Sequence, residues 1–179
     1  MPAKKKAAKK PAVKTAAPKS PKFPKATLEK ALQITYALKD QNGGNPWEPE
    51  QIRQVIGVGQ GNPWYYQTAA SRDYGLTTGS RDAPPIALTE LGREIAYAPN
   101  PEIELSLKKQ GFLNIEIFKK VLEYYKGSNL PDMKYLGNVL TNQFGLPPDV
   151  HEEFAKIFRE NCAYLGITEG VPQTVSTDG

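Results

Sequence analysis

Turn-forming residues cut the stretch 26–167 into pieces of one to four helical turns. Asn42-Gly43-Gly44-Asn45-Pro46, Gly57-Val58-Gly59-Gln60-Gly61, Gly75, Tyr97-Ala98-Pro99-Asn100-Pro101, Gly127-Ser128-Asn129-Leu130-Pro131 and Gly145-Leu146-Pro147-Pro148-Asp149 each interrupt a run with apolar periodicity. Between most of these breaks the apolar residues fall at helical spacing, as Leu28, Ala31, Leu32, Thr35 and Leu38 do in a first helix ending near Gln41. The chain is thereby limited to short helices joined by tight turns.

The order of the pieces carries more information than any one of them. After the first helix, Glu48-Pro49-Glu50 starts a short second one that ends near Ile56. Asn62 as N-cap and Pro63 as first residue open a third, over Trp64–Tyr74, and Gly75 ends it. Leu76-Thr77-Thr78-Gly79 and Ile86-Ala87-Leu88 read as two short strands around Ser80–Pro85, and Thr89 caps a following helix. Helix, short helix, helix, hairpin, helix is the order of a winged helix-turn-helix, with the hairpin as its wing. The glycine-rich stretch 57–61 is no phosphate loop, because no lysine follows and a helix precedes it.

The remainder reads as an all-helical second lobe. Pro101 and Glu102 begin a helix to about Gln110, and Asn114 caps another that uses Ile115, Phe118, Leu122 and Tyr125. Asp132 caps a helix with Leu136, Val139, Leu140 and Phe144 on its face. Val150, Phe154, Ile157, Phe158, Cys162 and Leu165 form a wide stripe on the last long helix, closed by Gly166. The predicted fold is therefore mainly α. It has a winged lobe over 26–98, a helical lobe over 99–167 and a flexible tail over 168–179.

The first 25 residues are of a different kind. They hold nine of the 23 Lys and Arg residues and no acid, which leaves fourteen cations against nineteen acids beyond them, a net charge of −5. With Val13 and Phe23 as the only larger apolar side chains after Met1, residues 1–25 are expected to be a disordered basic tail. Its Lys/Ala/Pro composition resembles that of linker-histone tails. Lysines such as Lys4, Lys5, Lys6, Lys9 and Lys10 bind phosphates with release of condensed counterions, which gives salt-sensitive affinity without base specificity. Anchoring to lipid normally needs a second signal, an acyl chain or an amphipathic apolar face, and neither is evident.

In the winged lobe the third helix is the candidate for DNA contact. Projection back from Gly75 turns Trp64, Thr68, Ser71 and Tyr74 inward and Tyr65, Tyr66, Ala69, Arg72 and Asp73 outward. Tyr65 and Arg72, with Arg81 at the wing tip, are the candidate nucleic-acid contacts of the folded part. The same tyrosine-rich face suits a protein partner or a second copy of the chain.

Chemistry of other kinds finds few residues. A balance of 39% hydrophobic and 23% charged residues is globular, and no apolar run approaches the ~20 residues of a membrane-spanning helix. Cys162 stands alone on an apolar stripe and reads as a core residue. His151 reads as a solvated histidine at a helix start, and Glu102/Glu104 and Glu152/Glu153 as first-turn acids. No nucleophile, base and oxyanion site assemble, so neither catalysis, nor a metal, nor a cofactor is expected.

Tyr74-Gly75-Leu76, Ile86-Ala87-Leu88-Thr89-Glu90-Leu91-Gly92, Phe118, Tyr125, Leu130-Pro131, Phe144-Gly145-Leu146-Pro147 and Phe158 through Ala163-Tyr164-Leu165-Gly166 together resemble a family of prokaryotic winged-helix proteins of no assigned activity. The resemblance spans about 27–167 and implies a sensor or adaptor module, in some members joined to a downstream effector domain. The lysine tail departs from that pattern. Taken together, the expectation is a non-enzymatic winged-helix protein of the cytoplasm or nucleoid. It associates with double-stranded DNA mainly through its tail; the alternative is a protein-interaction or adaptor module that uses the tyrosine-rich third helix or the helical second lobe.

Overall fold

Thr27 is extended (ψ 162°) and its Oγ1 accepts from the Lys30 N–H at 3.3 Å, which starts α1 (Leu28–Asn42). Gly43, at φ +63°, closes it in the left-handed conformation that glycine adopts without strain. A computed structural model describes residues 20–126 and 129–167 of the chain. Lys4, Lys5, Lys6, Lys9 and Lys10, and the segment 168–179, lie outside them.

Within the described residues the protein is mainly helical with one small antiparallel hairpin. After α1 come α2 (Pro49–Ile56) and α3 (Asn62–Asp73), then strands β1 (Thr77–Ser80) and β2 (Ala83–Leu88). Five helices follow: α4 (Glu90–Ala96), α5 (Pro101–Leu113), α6 (Glu116–Tyr125), α7 (Met133–Phe144) and α8 (His151–Leu165). A 3-10 turn at Pro148–Val150 leads into α8.

Most boundaries lie within a residue or two of the sequence reading, and the exceptions have local causes. Gly61, at φ +114°, stands at the N-cap of α3 in place of Asn62, because Asn62 and Pro63 already form the first helical turn. Asn114 does not start α6. Its Nδ2 donates to the Tyr74 carbonyl at 2.9 Å, so the side chain is committed elsewhere, and Ile115 takes the N-cap position. Strand β2 extends back through the exposed Pro84 and Pro85, which leaves a tighter turn than expected. Proline is tolerated where its missing N–H would face no ladder partner.

The hairpin is pinned by glycine. Between Thr78↔Ala87 and Ser80↔Ala83 the register shifts, and Gly79 sits there at φ +84°. A Cβ at this position would lie 2.1 Å from the Pro85 carbonyl oxygen, so no other residue fits without moving the strand. On its other side β2 is bridged by Trp47, whose N–H and carbonyl both bond to Ile86 at 2.9 Å.

The apolar residues form two clusters. The larger gathers Phe23, Leu28, Leu32, Tyr74, Leu76, Phe112, Phe118, Phe154 and Phe158, so residues from both sides of position 98 share one core. The rings of Phe112 and Phe118 stack at 5.1 Å, and Phe118 meets Phe154 at 5.5 Å. The smaller cluster, Ile34, Ala37, Leu38, Ile52, Trp64 and Ile86, sits under the hairpin. Helix α1 lies between the two and is buried on both sides.

Two expectations change here. The basic leader does not run free to residue 25, because Phe23 is buried edge-on against Phe154 at 5.3 Å and Pro24 and Ala26 are buried beside it. Lys25 then reaches Glu153 at 3.0 Å. His151 is not a solvated helix-start residue but is buried. The turn before α8 folds it back so that Nε2 donates to the Leu146 carbonyl at 2.8 Å, over Gly137, which has no side chain to obstruct the ring.

Candidate nucleic-acid interface

Helix α3 is fixed by what it buries. Trp64 fills the smaller cluster, and Gln67 Nε2 donates to the Lys30 carbonyl at 2.7 Å and to Gln33 Oε1 at 3.0 Å. Ser71 and Thr77 hydroxyls meet at 2.6 Å. These contacts set the helix rotation and leave Tyr65, Tyr66, Arg72 and Asp73 exposed, as the projection predicted.

The hairpin folds back toward that outer face. Arg72 Nη1 donates to the Gly79 carbonyl at 3.1 Å, which ties the last turn of α3 to the glycine bulge. The Arg81 guanidinium lies 5.0 Å from the Tyr65 ring centroid, within cation–π distance, and also makes a two-pronged pair with Asp82 at 3.2 and 3.1 Å. Tyr65, Arg72 and Arg81, named separately from the sequence, thus form one surface. The two arginines are not equivalent. Arg72 gives one N–H to an uncharged carbonyl and has Asp73 beside it without a salt bridge among the described residues, whereas Arg81 is paired directly with Asp82.

The basic leader enters the body at the end of α3. Ser20, Pro21, Lys22, Phe23 and Lys25 line a shallow depression together with Asp73, Leu146, Pro147 and Val150. Partial desolvation holds the Asp73 carboxyl above its ordinary range, against the opposing pull of Arg72 and Lys22.

Three lysines that the sequence reading did not single out for the folded surface lie on the other flank of α3. A groove of about 420 Å³ is lined by Lys25 from the leader, Lys30 and Gln33 from α1, Tyr66 and Gln67 from α3, and Lys156 and Glu160 from α8. No periodic signal connects Lys30 with Lys156, since they belong to helices at opposite ends of the chain. Only the outward projection of Tyr66 pointed here.

Glu104 accepts a hydrogen bond from the Tyr36 hydroxyl, and Lys108 Nζ donates to the Tyr164 hydroxyl at 3.0 Å, which clasps α1, α5 and α8. Burial and the Glu104 carboxylate push the Tyr36 hydroxyl far above the usual tyrosine range. Among the described residues no three His, Cys, Asp or Glu side chains are grouped to hold a metal, and no helix is long and apolar enough to cross a membrane. The chain matches no protein-family model, no curated protein and no solved structure.

Proposed function

We propose that this is a non-enzymatic winged-helix protein that associates with double-stranded DNA with little sequence preference. The lysine leader supplies most of the affinity, and the α3–hairpin surface directs the contact. One observation carries the reading: the leader meets the body beside Asp73, at the end of the helix that exposes Tyr65 and Arg72. The seven lysines of residues 1–19 are covalently attached at that point. A body of net charge −5 beyond residue 25 has little attraction for a duplex on its own, so the leader must overcome its repulsion. Base reading would be weak, since α3 presents one arginine beside one aspartate to a groove that proteins usually read with Arg, Lys, Asn or Gln.

The test is a salt series on the full chain and on a variant lacking residues 1–19, a cut that spares Phe23. The plot of log K against log salt should become shallower by up to about 6, because each lost phosphate contact accounts for about 0.9. Two unrelated duplexes should bind within a few-fold of each other. Unchanged affinity and slope in the truncated chain would remove the basis of the reading. The alternative, a protein-interaction module, draws on Tyr65 and Tyr66, whose residues are 41% and 40% exposed. It takes over if the truncated chain self-associates through that face in sedimentation and neither chain binds duplex.

A further inference from the structure

The groove on the far flank of α3 joins groups of one chemical kind. Lys25, Lys30 and Lys156 come from three separate elements, and the acid lining the groove with them is Glu160. Glu160 pairs with Lys156 at 2.8 Å, and Lys25 pairs with Glu153 at 3.0 Å. Lys30 has no ion pair among the described residues. The lining thus carries an excess of positive charge on a body whose overall charge is negative.

Its neutral groups include further donors, although Gln67, whose Nε2 already donates to the Lys30 carbonyl and to Gln33 Oε1, has only its amide oxygen left. Gln33 uses Oε1 to accept from Gln67, so the end of its amide left to a ligand is the NH₂. Tyr66 adds a hydroxyl, and Ile56, Val58 and Pro63 form an apolar wall. The attraction does not depend on the start of α1. Asn161 Oδ1 already accepts from Leu28 N–H at 2.8 Å, and Thr27 Oγ1 from Lys30 N–H at 3.3 Å. Ammonium, amide and hydroxyl donors around a concave surface suit an acceptor-rich anion, as a phosphodiester is.

The groove also continues the surface already described. Arg81 lies over Tyr65, the Tyr65 and Tyr66 rings meet at 5.5 Å, and Tyr66 lines the groove. A cation–aromatic track therefore crosses α3 from the hairpin to Lys30.

We infer that this groove is a second phosphate-binding position for the duplex backbone, held by Lys30 and Lys156 on the side of α3 opposite the hairpin. The inference rests on the DNA reading above and adds a site to it. The test compares the full chain with a Lys30→Ala/Lys156→Ala variant in duplex binding across a salt series. A Lys134→Ala variant serves as a control for charge loss away from the groove. Both groove lysines are exposed, so the thermal midpoint should not move.

The expected result is a slope shallower by about 1.8 in the double variant and unchanged in the control, with slope restored by Lys30→Arg/Lys156→Arg. If deletion of residues 1–19 flattens the slope but the double variant matches the full chain, the groove is not a backbone site and the DNA reading stands. If neither change moves the slope, both fall together. Saturable binding of a free mononucleotide that the double substitution abolishes, with the duplex slope unmoved, would overturn the assignment to a duplex.

Discussion

Asn161 is wholly buried on α8 and uses both ends of its amide. Oδ1 accepts from Leu28 N–H at 2.8 Å, and Nδ2 donates to the Tyr74 hydroxyl at 2.9 Å, which itself donates to the Ala26 carbonyl at 2.9 Å. One side chain thus ties the start of α1 and the end of α3 to the last helix. Removing it strands a backbone donor inside the core and takes away a partner of a buried hydroxyl. Such losses cost about 1–3 kcal/mol each. Asn161→Ala should therefore lower stability by roughly 2–4 kcal/mol, a fall of about 5–15 °C in the thermal midpoint. A calorimetric midpoint within 2 °C of the parent would mean the network contributes nothing net. The signal for this residue was present in the sequence. Asn161 lies three and four positions after Phe158 and Ile157, inside an apolar stripe, and His151 lies three before Phe154 in the same way. A polar side chain on a buried face announces a partner, but not which one. Those partners, Leu28 and Leu146, are set by the tertiary fold.

At the scale of elements, helical periodicity identified segments well and their surroundings poorly. For α1 it marked one face, Leu28, Ala31, Leu32, Thr35 and Leu38, yet Ile34 and Ala37 are buried too, because the helix lies between two clusters. Periodicity assumes a helix with one wet side, and a central helix breaks that assumption. The leader failed for a related reason. Its composition promises no burial, and composition cannot see Phe154 on the far side of the sequence. There Phe23 packs edge-on at 5.3 Å, and Lys25 lies 4.4 Å over the Phe23 ring. Segment 20–26 is thus a strap with a plug. Phe23→Ala should cost about 3 kcal/mol, at the lower end of the range for truncating a buried phenylalanine, since this ring keeps some exposure. The lysines are untouched, so the salt slope of duplex binding should stay at its parental value. A variant as stable as the parent would show that the strap is not part of the body.

The whole molecule divides by charge and not by packing. Nine lysines precede residue 26 and a net −5 follows, a contrast plain from the sequence because charge needs no partner to be counted. The join between the two predicted lobes was not plain. Pro99 and Pro101 mark a true break between α4 and α5, but a break in the backbone says nothing about which side chains meet across it. Here Leu28, Leu32, Tyr74 and Leu76 from before the break share one cluster with Phe112, Phe118, Phe154 and Phe158 from after it. The Asn114 amide holds the Tyr74 carbonyl at 2.9 Å across the same line. A fragment of residues 20–98 would return those four large side chains to water. At about 1.5–3 kcal/mol apiece this loss is comparable with the whole stability of an ordinary domain, about 5–15 kcal/mol. The fragment should show no cooperative thermal transition in circular dichroism, and the full chain should show a single one. A folded fragment, or two separated transitions in the full chain, would mean that the cluster is two cores in contact. In that case the α3–hairpin surface could keep its shape without α8, and the groove lysine Lys156 could not be treated as fixed beside it.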